Sequence, residues 1–408
     1  MDTVTFPNPF RPGAGHLPPY LAGRDHERKE FQTLLSQRPI MTNAVLTGLR
    51  GVGKTVLLET LKPLANKMGW LWAGADLSES ATVTEESISI RLLADLAPLV
   101  SNVVISESIK QSIGFTGSAI KQTQLLDFHF LKDMYDRTPG LSSDKLKYVL
   151  ELVWAVLGSV KAQPYKGIVL AYDEAQNLSD QAKTHQYPLS LLLDVFQSLQ
   201  KQGYPYLLVL TGLPTLFPKL VDARTFSERM FHIITLGRLE DSESRDAILK
   251  PLADQSCPVR LSETAVSDII KHSGGYPYFI QFLCREIFDS YLQQLSTGTP
   301  KPKVTVQEVV RKLDADFFAA RWNPVTDRQR DLLKIIATLQ NSNEEFTVQE
   351  IVTQGKTTAN PFSPSYVTQL LTRLSENGLI YKNRHGRYSF AVPLLGDFIR
   401  RQMEQGLI

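Results

Sequence analysis

Gly48-Leu49-Arg50-Gly51-Val52-Gly53-Lys54-Thr55 is the stretch on which the reading of this chain turns. It follows a short apolar run, Ala44-Val45-Leu46-Thr47, and precedes residues 56–68, where apolar side chains recur at helical spacing. A GxxxxGK[ST] pattern between a strand and a helix has a physical reason. Its glycines let the backbone wrap an anion with N–H groups pointing inward, and the helix N-terminus adds a favourable dipole. Lys54 then reaches the β- and γ-phosphates, and the Thr55 hydroxyl ligates Mg²⁺. Gly48, Leu49, Arg50, Gly51, Val52, Gly53, Lys54, Thr55 and Val56 are therefore expected to bind ATP with Mg²⁺. A second Gly-Lys-Thr at 355–357 serves as a control, because Glu350 stands where its first glycine would be needed.

Two further apolar runs, Gly167-Ile168-Val169-Leu170-Ala171-Tyr172 and Tyr206-Leu207-Leu208-Val209-Leu210, read as buried strands of a parallel sheet. Each leads into a polar tip, Asp173-Glu174 in one case and Thr211-Gly212 in the other. Open parallel sheets bind ligands at the carboxyl ends of their strands. Asp173 is expected in the Mg²⁺ shell, and Glu174 is expected to polarise the attacking water as general base. That pair makes ATP hydrolysis the expected reaction. Thr211 is placed to contact the γ-phosphate or its water, although a plain Thr-Gly turn reads the same way. Arg224 and Arg229 precede a strand at 231–236, and phosphoryl transfer gains from an arginine donated by a neighbouring subunit. Either would imply a homo-oligomer, and surface arginines are common.

At 408 residues, the chain is long enough for two or three domains. Its hydrophobic content of 43%, charged content of 21% and net charge of +2 are ordinary for a globular protein, so any basic surface must be local. Only Cys257 and Cys284 occur, with no metal-ligand spacing, and they read as reduced thiols. The N-terminus lacks a signal-peptide pattern, and no apolar run approaches the roughly 20 residues of a membrane span. The expectation is a soluble cytoplasmic protein with no membrane partner.

The chain divides into four parts on paper. Residues 1–22, rich in proline, read as an extended arm. Residues 23–239 hold the strand–helix alternation of an α/β parallel-sheet P-loop NTPase core. About 100–163 is too long for one connection and reads as a helical insertion, with a helix at 144–157; its purpose is not legible. Helical spacing dominates 240–320, a helical lid, in segments 241–254, 262–272 and 276–295. In 321–408, helices at 327–340, 347–354 and 364–376 precede a hairpin at 379–391, the order of a winged helix-turn-helix.

With these pieces in order, the chain resembles the AAA+ ATPases near the origin-recognition, archaeal-ATPase and STAND branches. The similarity runs from Leu21 to about Tyr291, and more loosely through the winged helix. Leu21-Ala22-Gly23-Arg24-Asp25-His26-Glu27 looks like the GRxxE box that opens the family, which implies that Gly23 and Arg24 lie near the adenine. Ser273-Gly274-Gly275-Tyr276-Pro277-Tyr278 looks like the lid GxP segment, which implies adenine contacts from Gly275 and Pro277. Taken alone, Gly-Gly-x-Pro is a helix break. One departure matters: Pro277 stands where origin-recognition ATPases place a lid arginine, which leans toward the STAND side. Asp173-Glu174-Ala175-Gln176 also resembles a helicase motif, but no later helicase motif accompanies it.

The winged helix leaves the partner open. A third helix starting at Pro364, capped by Ser363, would expose Tyr366, Thr368, Gln369, Thr372 and Arg373 to a DNA groove. The wing carries Lys382, Asn383, Arg384, His385 and Arg387 for phosphate contact. Yet Asp327 to Ile408 holds ten basic and eight acidic residues, less basic than most dedicated DNA readers. The leading expectation is an ATP-driven switch or assembly ATPase acting on a protein partner. The alternatives are a DNA-remodelling loader or transposition-helper type of ATPase, with DNA held through Arg373, Lys382, Arg384 and Arg387, and a nucleotide-binding scaffold with negligible turnover.

Overall fold

Ten strands form among the described residues: β1 (Asn43–Thr47), β2 (Trp70–Asp76), β3 (Val104–Lys110), β4 (Ile120–Leu125), β5 (Gly167–Asp173), β6 (Tyr206–Gly212), β7 (Phe231–Thr235), β8 (Phe346–Thr347), β9 (Ile380–Arg384) and β10 (Arg387–Phe390). The computed structural model describes residues 6–13, 15–101, 104–110, 120–159, 165–299, 302, 304–358, 360–384 and 386–407. These residues fall into two compact units, Asp25–Thr47 with Leu57–Thr235, and Gly48–Val56 with Leu236–Ile408 and the chain up to Arg24.

The first unit is built on a five-stranded sheet in the order β2-β5-β6-β1-β7. The three continuous apolar runs become β1, β5 and β6, buried along their whole length. All neighbours pair parallel, so every carboxyl end lies on one edge. Asp76 there stands beside Asp173, and Thr47 beside Gly212 and Thr235. Val45, Leu170, Leu208 and Phe196 meet in the core with Leu92 and Leu150 from flanking helices. Asn43 opens β1 fully buried; its Oδ1 accepts from Gln200 Nε2 at 2.7 Å and from the Leu208 N–H at 2.8 Å. Those bonds offset the cost of burying an amide.

Several expectations are adjusted here. The apolar pattern does not flag β2, which pairs with β5 at the sheet edge. Its Trp-Leu-Trp-Ala-Gly-Ala-Asp sequence is diluted by Gly74, whose φ is +145°. A Cβ there would lie 1.7 Å from the Ala171 carbonyl oxygen, so only glycine lets the two backbones pair. The helical insertion read at about 100–163 also contains strands: β3 and β4 pair antiparallel ahead of helices Phe128–Arg137 and Ser142–Ser159. Ser, Glu, Lys and Gln interrupt their apolar residues and hide the strand pattern. Pro63 lies inside the helix Lys54–Lys67 and leaves the Glu59 carbonyl without its ladder bond. The helix Asp25–Leu35 opens on Asp25 itself.

In the second unit, helices Asp241–Leu249, Glu263–Ser273 and Pro277–Ser296 come first, with Ser262 capping the second through the Ala265 N–H. Val306–Leu313 and Ala319–Trp322 flank a π-helical turn at Asp314–Phe318. Asp327–Ala337, Val348–Gln354 and Pro364–Glu376 follow, then a small sheet in the order β8-β10-β9 and the helix Leu395–Glu404. One continuous core joins them. Phe318 lies 5.8 Å from Phe279 and 5.2 Å from Phe398, ring centre to ring centre. The proline-rich arm joins the same core through buried Phe10. Asn8 Nδ2 donates to the Arg285 carbonyl at 3.1 Å and to Asp289 at 2.7 Å. Cys257 and Cys284 are both free and buried. Among the described residues no helix is long and apolar enough to cross a membrane.

A Gly74→Ala variant is expected to lose about 1–3 kcal/mol or more of stability, read as a lower urea midpoint at unchanged slope. An unaltered midpoint would contradict the close β2–β5 approach.

Candidate functional site

The loop after β1 has the backbone its glycines foretell: φ is +157° at Gly48, +80° at Gly51 and +91° at Gly53. The helix begins at Lys54, immediately after the last of them. Lys54 Nζ donates back across the loop to the carbonyls of Gly48 at 2.9 Å and Leu49 at 3.0 Å. An ammonium is thereby held over the loop that is expected to wrap the phosphates.

The other loop carbonyls find donors from more distant parts of the same unit. Arg24 is buried, and its Nη2 donates to the Val52 carbonyl at 2.9 Å and the Gly237 carbonyl at 2.8 Å. The Tyr278 N–H donates to the Gly51 carbonyl at 3.1 Å. The lid turn is closed by the Leu239 N–H, which donates to the Gly275 carbonyl at 2.8 Å, and Pro277 opens the helix that follows. Gly23, Arg24, Gly275 and Pro277 thus lie in one unit with the loop residues Gly48–Val56. The resemblance implies a place near the adenine for Arg24; in the structure its guanidinium engages the loop carbonyl of Val52. Arg50 directs its guanidinium toward Gly378, and Thr55 is half-buried.

At the carboxyl edge of the sheet, Asp173 ends β5 buried, and its Oδ1 accepts the Glu174 N–H at 2.8 Å. Glu174 is exposed and left-handed, with φ +53° and ψ +33°. A non-glycine residue there stores about 1–3 kcal/mol of strain. The hydroxyls of Thr211 and Thr47, both buried at this edge, have no hydrogen-bond partner among the described residues. Such groups each cost about 1–3 kcal/mol unless something polar meets them. The two arginines differ. Arg224 grips Asp194 with two bonds of 2.9 and 2.8 Å, whereas the exposed Arg229 side chain makes no hydrogen bond or ion pair among the described residues.

In the tail, the helix Pro364–Glu376 buries Val367, Leu370, Leu371 and Leu374, with Ser363 capping it through the Tyr366 N–H. It leaves Thr368, Gln369, Thr372 and Arg373 exposed. Tyr366, expected on that face, is instead half-buried and stacked on Phe362 at 6.0 Å, because Phe362 fills the space beside the helix start. Lys382 is exposed and Arg387 half-buried; Arg384 is described by its backbone alone, and His385 lies outside the described residues.

Residues 20–215 match the AAA ATPase domain family, and residues 315–399 match a domain of unknown function (DUF8462). The fold is similar to that of the Walker-type ATPase of Pyrococcus abyssi, covering 93% of this chain and 96% of that one at 15% identity and a TM-score of 0.55. It is also similar to the ORC2 protein of Aeropyrum pernix in its ADPNP–ADP complexes, covering 96% and 98% at 13% identity and a TM-score of 0.51. No match was found among curated proteins.

Arg24→Ala removes donors from two carbonyls, and bonds to a charged group are worth about 1.5–3 kcal/mol each. The variant is expected to stay folded and to bind a fluorescent ATP analogue at least tenfold more weakly. Unchanged affinity would show that the loop keeps its shape without Arg24.

Proposed function

We propose that this chain, a member of the AAA P-loop ATPases, binds and hydrolyses ATP and uses that cycle to switch its lid and tail toward a protein partner. The observation that carries this reading is the loop Gly48–Lys54, wound with its lysine folded across it and with the carbonyls of Gly48, Leu49, Gly51 and Val52 each met by a donor. A backbone so arranged has its N–H groups left for an anion.

Roles follow from chemistry. Lys54 holds the β- and γ-phosphates, and Gly23, Gly275 and Pro277 border the adenine, with Arg24 acting through the loop. Thr55 and Asp173 suit a hard cation, both offering oxygen. Mg²⁺ held there supplies charge neutralisation to the triphosphate. Glu174 takes the proton of the attacking water, and the unpartnered Thr211 hydroxyl orients that water or the γ-phosphate. Arg229, exposed and uncommitted, suits a neighbouring copy's site better than Arg224, which Asp194 holds within its own chain.

The architecture we infer is an ATPase core at 23–239, a helical lid at 240–320 and a winged helix-turn-helix tail at 321–408. A protein-directed switch is favoured because the tail packs into the lid core through Phe398 and Phe318. DNA contact through Arg373, Lys382, Arg384 and Arg387 is the second reading, supported by the exposure of Arg373 and Lys382.

Lys54→Ala is expected to abolish ATP binding, while Glu174→Gln keeps binding and loses at least about 100-fold in turnover. Both are read by equilibrium binding beside steady-state phosphate release; wild-type turnover in Glu174→Gln would exclude it as the base. Turnover is expected to be indifferent to duplex DNA, and stimulation by DNA would favour the second reading. Arg229→Ala is expected to lower turnover while Arg224→Ala lowers stability, compared by phosphate release and melting temperature. Full turnover by monomeric Arg229→Ala would remove the in-trans role.

A further inference from the structure

Gln176 has no part in the scheme above, yet its side chain joins two ends of the catalytic edge. Its Nε2 donates to Glu174 Oε2, and its Oε1 accepts the Leu213 N–H at 3.3 Å. The opposite amide orientation would set oxygen against carboxylate and NH₂ against N–H, so the partners dictate which way the group points. The backbone beneath it is pinned as well. Lys219 Nζ donates to the Gln176 carbonyl at 2.7 Å, Asn177 Nδ2 donates to the Leu77 carbonyl at 2.9 Å, and Ala175 is buried.

Space for the amide depends on the absence of a side chain at Gly212. A Cβ there would lie 2.7 Å from Gln176 Oε1 and 2.9 Å from Leu216 Cδ2, pressing on both. Gly212 closes β6 directly after Thr211. The Gln176 amide therefore spans from the carboxylate after β5 to the turn after β6. Among the described residues the second Glu174 oxygen has no hydrogen-bond donor, so one oxygen is anchored and the other is left for water.

We propose that Gln176 is the positioning residue for Glu174, fixing which carboxylate oxygen faces the attacking water and tying that carboxylate to the strand end that carries Thr211. The proposal rests on Glu174 being the general base. A left-handed residue is strained and persists only where its surroundings determine it. The Gln176 bond, with that from the Glu174 N–H to Asp173, supplies that determination. Nucleotide affinity resides in the phosphate loop, so loss of the amide affects the chemical step and leaves binding alone.

The test is steady-state kinetics in the full chain with Gln176→Ala and Gln176→Asn, the second keeping an amide one methylene short of both partners. Both variants are expected to lose at least about tenfold in kcat at unchanged KM for ATP, since misplacing a reacting group by about 1 Å costs up to 100-fold. A general structural role would instead change KM or lower the melting temperature in step with kcat, and either overturns the proposal, as does wild-type kcat in either variant. Glu174→Gln is run alongside: a wild-type rate in that variant removes the general-base reading itself, whereas an inactive Glu174→Gln beside a normal Gln176→Ala removes only the positioning role.

Discussion

A backbone that turns its N–H groups toward an anion turns its carbonyls the other way, and each of those needs a donor. In this chain the donors come from different stretches of sequence. Lys54 serves Gly48 and Leu49, the Tyr278 N–H serves Gly51, and Arg24 serves Val52 and Gly237. The carbonyls of four loop residues are thereby tied to Lys54, to Arg24 and to the first turn of the helix Pro277–Ser296. Bonds to these carbonyls help offset the burial of the Arg24 guanidinium. Phosphates that draw Lys54 away from Gly48 and Leu49 would alter the same network.

From the lid, packing carries the constraint onward. Tyr278, whose N–H meets Gly51, lies 5.3 Å from both Phe279 and Phe317. Phe317 and Phe318 sit in the π-helical turn, and Phe318 stacks on Phe398 of the last helix. π-Helical turns are rare and concentrate at functional places. Asp314, buried in that turn, pairs with Arg401 at 2.5 Å. The helix Leu395–Glu404 is thus fastened to the lid by rings and by a charge pair, which is the physical basis for reading the tail as part of the switch.

The phosphate loop, β1, β5 and β6 were legible because a fully buried parallel strand must be apolar along its whole length, and its polar tip then marks the ligand edge. Strand β2 was not legible, because its pairing depends on the absence of a side chain at Gly74. Nor was the antiparallel pair β3–β4, whose sequence breaks the apolar alternation with Ser, Glu, Lys and Gln. The turn at Asp314–Phe318 escaped for another reason: apolar residues there serve partners distant in sequence. In the candidate site, residue types could be named from the sequence, whereas how their neighbours are placed could not. The motif implied a place near the adenine for Arg24; that its donors meet the carbonyls of Val52 and Gly237 could not be read from it. Gln176 was noticed only as part of a string, since its reach to Leu213 follows from β5 and β6 being neighbours. Nothing in the sequence separates Arg224 from Arg229; the difference is that Asp194 meets one of them.

The central claim is that the phosphate loop holds ATP and that Glu174 commits it to hydrolysis. The most direct measurement loads wild type and Glu174→Gln with ATP and Mg²⁺, removes free nucleotide by gel filtration and identifies what stays bound. The account predicts ADP on the wild type and intact ATP on the variant, in similar amounts. Intact ATP on both would mean a binding scaffold without turnover, and ADP on both would place the base elsewhere; either result contradicts the account.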